Sequence, residues 1–93
     1  MNSLQKQVAD FMNEMGWQYF DDERLIAKIK EELKEVEDEL KTDNTLEAEM
    51  EYGDLLFAVF CLANAKNINP EVALERAIQK FRTRDKDRYP EGK

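Results

Sequence analysis

The chain has 93 residues, enough for one small domain, and its 14 basic and 21 acidic residues give a net charge of −7. This acidic balance argues against a nucleic acid polymer as partner, because binding one requires a basic face. The absence of histidine excludes Ser-His-Asp and Cys-His catalysis and zinc sites built on histidine. The single cysteine, Cys61, cannot form an internal disulfide, so we expect a cytoplasmic protein in which this thiol packs in the core.

Neither a secretory nor a membrane segment is indicated by the sequence. The first residues, Met1 to Leu4, lack the basic stretch followed by apolar residues that marks a signal peptide. The longest apolar run, Leu55 to Ala63, has about half the length that spans a bilayer. We therefore expect no membrane partner.

The first predicted helix starts after Ser3, whose hydroxyl can cap it, and continues to Met15. Apolar residues recur along it at helical spacing: Leu4, Val8, Phe11, Met12 and Met15. Gly16 suits the end of this helix, and an aromatic-rich link then leads to Phe20.

A second helix is predicted from about Asp22 to Lys41, with Asp21 and Asp22 at its positively polarised start. One face of it is apolar: Leu25, Ile26, Ile29, Leu33, Val36 and Leu40. At about 100° per residue, Glu32 falls on the edge of this stripe and Glu35 further round the same flank. We therefore expect Glu32 to face a crevice between helices rather than water.

A third helix is predicted from roughly Leu46 to Lys66, with Thr45 as its cap. Its second half, Leu55 to Ala63, is apolar all the way round and must be covered on every side. Three other short helices can hardly cover it, so we expect a dimer or larger assembly built on this segment.

Glu51 lies on one line with three apolar residues of the third helix: Leu55, Ala58 and Leu62. An unpaired carboxylate above a buried stripe would be costly and would be pushed toward its neutral form. A bound cation would remove that cost, and so would a surface position at the fraying start of the helix. We favour the cation.

The fourth helix is predicted from Pro70 to about Asp87, because Asn69 can cap it and proline suits the first helical position. Its apolar side consists of Val72, Ala73, Leu74, Ala77, Ile78 and Phe81. We expect the tail, residues 89–93, to be loose.

Four acidic residues form two pairs, each with a spacing of three on a predicted helix: Glu32 with Glu35, and Glu51 with Asp54. Acids at this spacing share one side of a helix. If the pairs face each other, the like charges need a cation between them, and oxygen donors favour magnesium, with manganese possible. The pattern indicates a metal-dependent enzyme acting on phosphates, although chance pairs are common among 21 acidic residues.

Three segments, read in order, resemble the MazG-like nucleoside triphosphate pyrophosphohydrolases: Glu-Glu-Leu-Lys-Glu at 31–35, Glu-Tyr-Gly-Asp-Leu-Leu-Phe at 51–57 and Ala-Leu-Glu-Arg-Ala-Ile-Gln-Lys-Phe-Arg-Thr-Arg at 73–84. The family carries E-E-x-x-E, then E-L-G-D-[LV]-L-[FY], then A-L-x-x-A-N-x-K-F-x-x-R. The match spans Leu25 to Arg84, and three blocks in order are far more specific than one acidic pair. Ile78 stands where the family frequently has Asn, which removes a polar contact to the substrate.

The resemblance implies an all-α, four-helix bundle-type fold that dimerises, sometimes to a tetramer, and we place the dimer contact on the apolar third helix. It also implies hydrolysis of a nucleoside triphosphate between its α and β phosphates, yielding a nucleoside monophosphate and pyrophosphate. The positions that match the family's metal-binding acids are Glu32, Glu35, Glu51 and Asp54. Those that match its phosphate-contacting cations are Lys80 and Arg84. We interpret residues 1–93 as one such domain, with an N-terminal helix and link at 1–20, a motif-bearing core at 21–87 and a tail at 88–93.

A triphosphate needs its negative charge neutralised at the transition state, which metal ions together with Lys80 and Arg84 can do. On spacing alone, these two cations could equally complement the dipole at the end of a helix. A metal-bound water would attack the α-phosphorus, and Glu35 is our candidate general base because it lies furthest from the packed stripe.

Three aromatic residues of the link can stack on a nucleobase: Trp17, Tyr19 and Phe20. The alternative for each is packing between the first two helices. We favour that alternative for Phe20, and it stays open for Trp17.

The leading hypothesis from the sequence is a house-cleaning enzyme that clears a non-standard or surplus nucleoside triphosphate or its deoxy form. A related all-α hydrolase of the dUTPase-like or phosphoribosyl-ATP type would use the same acids on another substrate. The non-enzymatic alternative is an acidic helical module whose third helix binds a partner helix. Such a module would need neither inward-facing acids nor magnesium.

Overall fold

Four α-helices joined by short links make up the computed structural model, which describes residues 3–84. Their bounds are Leu4–Met15 for α1, Asp22–Leu40 for α2, Thr45–Ala65 for α3 and Pro70–Arg84 for α4. A single turn of 3-10 helix, Trp17–Tyr19, lies between α1 and α2. No strand occurs within residues 3–84, so the prediction of an all-α fold is confirmed. The expected last turn of α4 to Asp87 and the tail lie outside the described residues.

Side-chain caps set the start of each helix, three of them as the sequence predicts. Ser3 Oγ accepts from the Lys6 N–H at 3.1 Å, and Asp21 Oδ1 accepts from the Arg24 N–H at 2.8 Å. Asn69 Oδ1 accepts from two backbone N–H groups of α4, at 2.9 and 3.2 Å.

The prediction for the start of α3 was wrong by one residue. Asn44 is the cap, since its Oδ1 accepts from the Glu47 N–H at 3.1 Å, and Thr45 is already the first helical residue. Asparagine and threonine are both good caps, and asparagine is the better of two neighbours.

Gly16 ends α1 in the left-handed region, with φ of 73°, where a side chain would be strained. The turn that follows brings Trp17 and Phe20 back against the helices. Without this reversal, the aromatic link would continue away from the core.

The α2–α3 pair is antiparallel and forms the main packing of the chain. A salt bridge of 3.2 Å between Lys66 Nζ and Asp22 Oδ2 joins the end of α3 to the start of α2. The core beside it is built on Met12, Leu25 and Cys61, with partly buried residues around them: Val8, Trp17, Phe20, Phe57, Leu62 and Ala65. Cys61 is 2% exposed, which confirms its predicted packing role.

Helix α4 is fastened to the rest of the chain mainly at its start. Gln5 of α1 joins the start of α4 to the end of α3. Its backbone N–H donates to Glu71 Oε1 at 3.1 Å, its side-chain Nε2 donates to Asn64 Oδ1, and its backbone carbonyl accepts from Asn64 Nδ2. Beyond that point many apolar residues of α4 are exposed: Val72, Leu74, Ile78 and Phe81. Exposed apolar residues on α2 and α3 extend the apolar surface: Ile26, Leu33, Leu40, Leu46, Met50, Tyr52, Leu56 and Val59.

Exposed apolar residues of this number are expected in a subunit of a larger assembly. The dimer or tetramer stays a prediction, and the exposed apolar residues support it. Within residues 3–84, every helix is too short or too polar to cross a membrane.

Candidate metal centre and adjoining pocket

Three carboxylates from two helices converge on one point of the α2–α3 crevice. Glu32 and Glu35 of α2 and Glu51 of α3 each offer an oxygen within 4.8 Å of the others. The spacing of three places both α2 acids on one side of that helix, and the antiparallel pairing brings Glu51 opposite them. The structure thus brings together three of the four acids that the sequence pattern singles out.

The three side chains differ in how far they are withdrawn from water. Glu32 is buried at 5% exposure, Glu51 is half-buried and Glu35 is exposed. One oxygen of each of the two deeper acids, Glu32 Oε2 and Glu51 Oε2, is buried and has no hydrogen-bond partner. A buried carboxylate oxygen without a hydrogen-bond partner costs free energy. A cation or a proton bound at this point would offset that cost for both atoms.

A proton shared through Glu35 relieves part of the repulsion among the three acids. The pKa of Glu35 is raised from 4.5 to about 7, first by its side-chain hydrogen bond with Glu51 and then by that with Glu32. Repulsion from the Glu32 charge adds to the shift. Near neutral pH, the protonated and ionised forms of Glu35 are therefore both populated. This is expected where several carboxylates lie so close together that they cannot all be ionised at low cost.

The donors present fit a hard divalent cation. All three are carboxylate oxygens, the ligands that magnesium and manganese prefer, and two of them contribute buried oxygens that lack a partner. Nitrogen and sulfur donors do not enter the cluster, since the chain has no histidine and Cys61 packs in the core. The arrangement is therefore suited to magnesium rather than to zinc.

Asp54, the fourth acid of the predicted set, does not join the cluster in this structure. It follows Glu51 by three residues on α3 and is exposed. Its carboxylate is not among the three that come within 4.8 Å of one another.

Lys28, which the sequence reading missed, contacts the cluster directly. Its Nζ lies 3.1 Å from Glu32 Oε1, one helical turn away on α2. The hydrogen bond to Glu32 is the main reason why the pKa of Lys28 is raised, so the ammonium stays charged. The i,i+4 spacing of Lys28 and Glu32 was the available signal, but it is common on helix surfaces and does not point to a site by itself.

A pocket of about 370 Å³ opens next to the acidic cluster, between the aromatic link, α2 and α3. Its lining combines aromatic, small and charged residues: Trp17, Phe20, Arg24, Leu25, Ala27, Lys28, Glu31, Phe57, Ala58 and Cys61. Lys28 lines the pocket and forms an ion pair with Glu32 of the cluster, so it connects the two.

Trp17 both packs against the core and lines this pocket. Its ring is stacked on Phe20 at 5.5 Å between centroids and meets Phe11 and Phe57 edge-on at 5.2 and 5.9 Å. Phe20 packs as expected and carries the Arg24 guanidinium 3.7 Å above its ring. Tyr19, the third candidate, is 84% exposed and lies outside the lining.

Lys80 and Arg84, the predicted phosphate contacts, are exposed on α4 and do not line this pocket. Both cations lie over the ring of Phe81, at 4.8 and 5.2 Å from its centroid. Among the described residues, Lys80 forms no ion pair with the three acids.

Comparison with known proteins gives a consistent answer. The sequence model of the protein family described as the MazG nucleotide pyrophosphohydrolase domain matches residues 20–89 of this chain. The uncharacterized protein YpjD of Bacillus subtilis is 35% identical over 99 aligned residues, covering 96% of this chain and 89% of YpjD. The nucleoside triphosphate pyrophosphohydrolase/pyrophosphatase MazG of Thermotoga maritima is 36% identical over 79 residues, covering 85% of this chain but only 30% of that protein.

The fold has a solved counterpart as well. The crystal structure of Bacillus subtilis YpjD, whose designation as a pyrophosphatase is provisional, superposes with a TM-score of 0.73 at 33% identity. The superposition covers 88% of this chain and 92% of YpjD.

Proposed function

The chain belongs to the MazG nucleotide pyrophosphohydrolase family, and from that premise we propose that it hydrolyses a nucleoside triphosphate between the α and β phosphates. The products are a nucleoside monophosphate and pyrophosphate, and the role is clearance of surplus or non-standard nucleotides in the cytoplasm. The observation that carries the proposal is a cluster of three carboxylates, two of which have a buried oxygen without a partner, beside an aromatic pocket of about 370 Å³.

Magnesium, or manganese in its place, supplies neutralising charge and lowers the pKa of a bound water. Glu32 and Glu51 would hold the ion, because their unpartnered oxygens are buried at this point. Asp54 is one turn away from Glu51 and is the available fourth ligand. Glu35 completes the set from the exposed side.

Glu35 is the proposed general base, because it is the exposed member of the cluster and can reach a water molecule. The attacking water gives its proton to the Glu35 carboxylate while its oxygen bonds to the α-phosphorus. The bond from that phosphorus to the bridging oxygen breaks, and pyrophosphate leaves.

The nucleobase is proposed to stack on Trp17 in the pocket, where aromatic faces accept any base. Lys80 and Arg84 are proposed to contact the phosphate chain. Since neither lines the pocket of its own chain, we assign that contact to a dimer or tetramer in which α4 of another copy reaches the site.

The test is release of pyrophosphate from a panel of standard and modified nucleoside triphosphates, with magnesium, with manganese and with chelator. We expect metal-dependent formation of pyrophosphate and monophosphate, with Glu51→Gln inactive as control. Orthophosphate as the product would contradict cleavage between the α and β phosphates. Inactivity toward every triphosphate would refute the proposal, and phosphoribosyl-ATP would then be assayed.

A further inference from the structure

Lys28 differs from the other lysines that form ion pairs along a helix of this chain. Lys6 pairs with Asp10, and Lys34 with Asp38, and in both pairs the two partners are well exposed. The side chain of Glu32, in contrast, is 7% exposed. Exposed pairs contribute little, whereas a charge paired with a buried carboxylate controls whether that carboxylate is tolerated.

Glu32 accepts Lys28 on one oxygen only. Oε1 receives the ammonium at 3.1 Å, while Oε2 is buried without a hydrogen-bond partner. A cation bound by the three acids would therefore share Glu32 with Lys28. Two positive charges on one carboxylate repel each other, so the metal and the ammonium compete for it.

The Lys28 ammonium can move into the pocket when a metal ion displaces it from Glu32. Its side chain is 44% exposed and lines the pocket, so the ammonium can leave Glu32 without leaving the site. Arg24, the other cation of the lining, has its guanidinium 3.7 Å above the Phe20 ring. Lys28 is thus a positively charged group that both pairs with one of the acids and lines the pocket.

We propose that Lys28 is a substrate-contacting residue: it neutralises Glu32 in the empty site and binds a phosphate oxygen of the ligand once a divalent cation occupies Glu32. The inference rests on the proposed function and extends it by naming a cation of the same chain, distinct from Lys80 and Arg84. Because Lys28 remains charged at neutral pH, this exchange involves no proton transfer.

The test replaces Lys28 with methionine, which keeps the length and removes the charge. Lys34→Met is the matched control, since it breaks the 2.7 Å pair with Asp38 on the same helix. Manganese alone is first titrated into each metal-free protein and followed by its paramagnetic resonance signal. We expect Lys28→Met to bind manganese about tenfold more tightly than wild type, because a competing charge is lost.

Two further measurements test the phosphate contact. KM and kcat are determined with the best triphosphate of the panel, and the manganese complex of inorganic triphosphate is titrated while the emission of Trp17, the sole tryptophan, is recorded. Lys28→Met is expected to raise KM about tenfold with a smaller change in kcat, and to weaken the inorganic complex similarly. Lys34→Met should leave all three quantities at wild-type values.

The outcomes separate this inference from the proposed function. Failure of every triphosphate in the wild-type protein would refute the function, while the manganese and inorganic triphosphate titrations would still decide on Lys28. Unchanged or weaker manganese binding by Lys28→Met overturns the competition. Equal binding of inorganic triphosphate by variant and wild type, or binding to neither, overturns the phosphate contact.

Discussion

Replacement of Glu51 by glutamine should make the metal-free protein more stable and the metal-treated protein inactive. The side chain of Glu51 is half-buried, and one of its oxygens has no hydrogen-bond partner. Its neighbours in the cluster are also acids. Glutamine has nearly the same shape and removes one of those charges. A gain in stability from loss of a functional group is what a site built on repulsion predicts.

The expected gain follows from the geometry of Glu51 and Glu32. Two unit charges at the cluster's limiting separation of 4.8 Å repel by roughly 1 kcal/mol in a water-like dielectric and by about 3.5 kcal/mol at an effective value of 20. The shared proton of the cluster reduces the average charge, so we expect the lower figure, about 1 kcal/mol. For a domain of this size, that corresponds to a rise in Tm of roughly 4–8 °C.

The assay is thermal unfolding at one fixed protein concentration, with chelator and with saturating magnesium. Wild type should gain about 2.7 kcal/mol at a magnesium concentration of 100 times Kd, because the ion binds only the folded state. Glu51→Gln should start higher and gain little. Glu49→Gln, an exposed acid on the same helix outside the cluster, is the control and should behave as wild type.

Two results would refute this reasoning. If Glu51→Gln were less stable than wild type in chelator, the acids would not be repelling each other in the empty site. If it retained the full magnesium-dependent gain and wild-type turnover, Glu51 would not be a ligand.

Three further predictions use the same protein. The raised pKa of Glu35 favours its protonated form in the folded state, so its contribution to metal-free stability should be complete below pH 4.5 and lost as pH rises through 7. Tm in chelator should therefore fall between pH 5 and 8, and magnesium should flatten that slope; a metal-free Tm that did not fall would contradict the shared proton. Trp17→Leu should raise KM about tenfold through loss of stacking, whereas Phe11→Leu, which packs on Trp17 outside the pocket, should lower Tm without changing KM. Lys80→Ala should lose turnover but keep its metal affinity. If each site is shared between two copies, mixing Lys80→Ala with Glu51→Gln should restore about a quarter of wild-type activity. No restoration after subunit exchange would place Lys80 in the site of its own chain.

Local signals were enough to predict the helices. The capping side chains Ser3, Asp21 and Asn69 act within a few residues of their own position, and the apolar spacing of α2 repeats every turn. Where two neighbours could both cap, at Asn44 and Thr45, the stronger capping preference of asparagine was the signal that the prediction passed over.

The acidic site was predictable in part because its direction is tied to the apolar stripe. Glu32 lies on the edge of that stripe, on the side of its buried members Leu25 and Val36, so packing of these two residues carries the carboxylate into the crevice. Glu51 is led inward in the same way by its line of apolar residues. Asp54 has no such constraint in this chain and is exposed, although motif spacing grouped it with Glu51.

The pocket and Lys28 could not be predicted, because both depend on how separate segments meet. Trp17 lines the pocket only because Gly16 turns the chain back onto Phe57 of α3. Lys28 matters only because its partner is buried, and an i,i+4 lysine–glutamate pair looks the same in sequence whether its carboxylate is buried or not.

Cation binding and association with another copy should both stabilise the folded chain. Within residues 3–84 few apolar side chains are buried, and they are Met12, Leu25, Val36, Ala58 and Cys61. Against this small core stand a repelling carboxylate cluster and a broad exposed apolar surface on α3 and α4. Cation binding removes the first cost and association removes the second, and each acts by binding the folded state. Because α3 carries both Glu51 and the exposed residues Leu56 and Val59, the two processes stabilise the same helix, so metal should promote assembly and assembly should tighten metal binding.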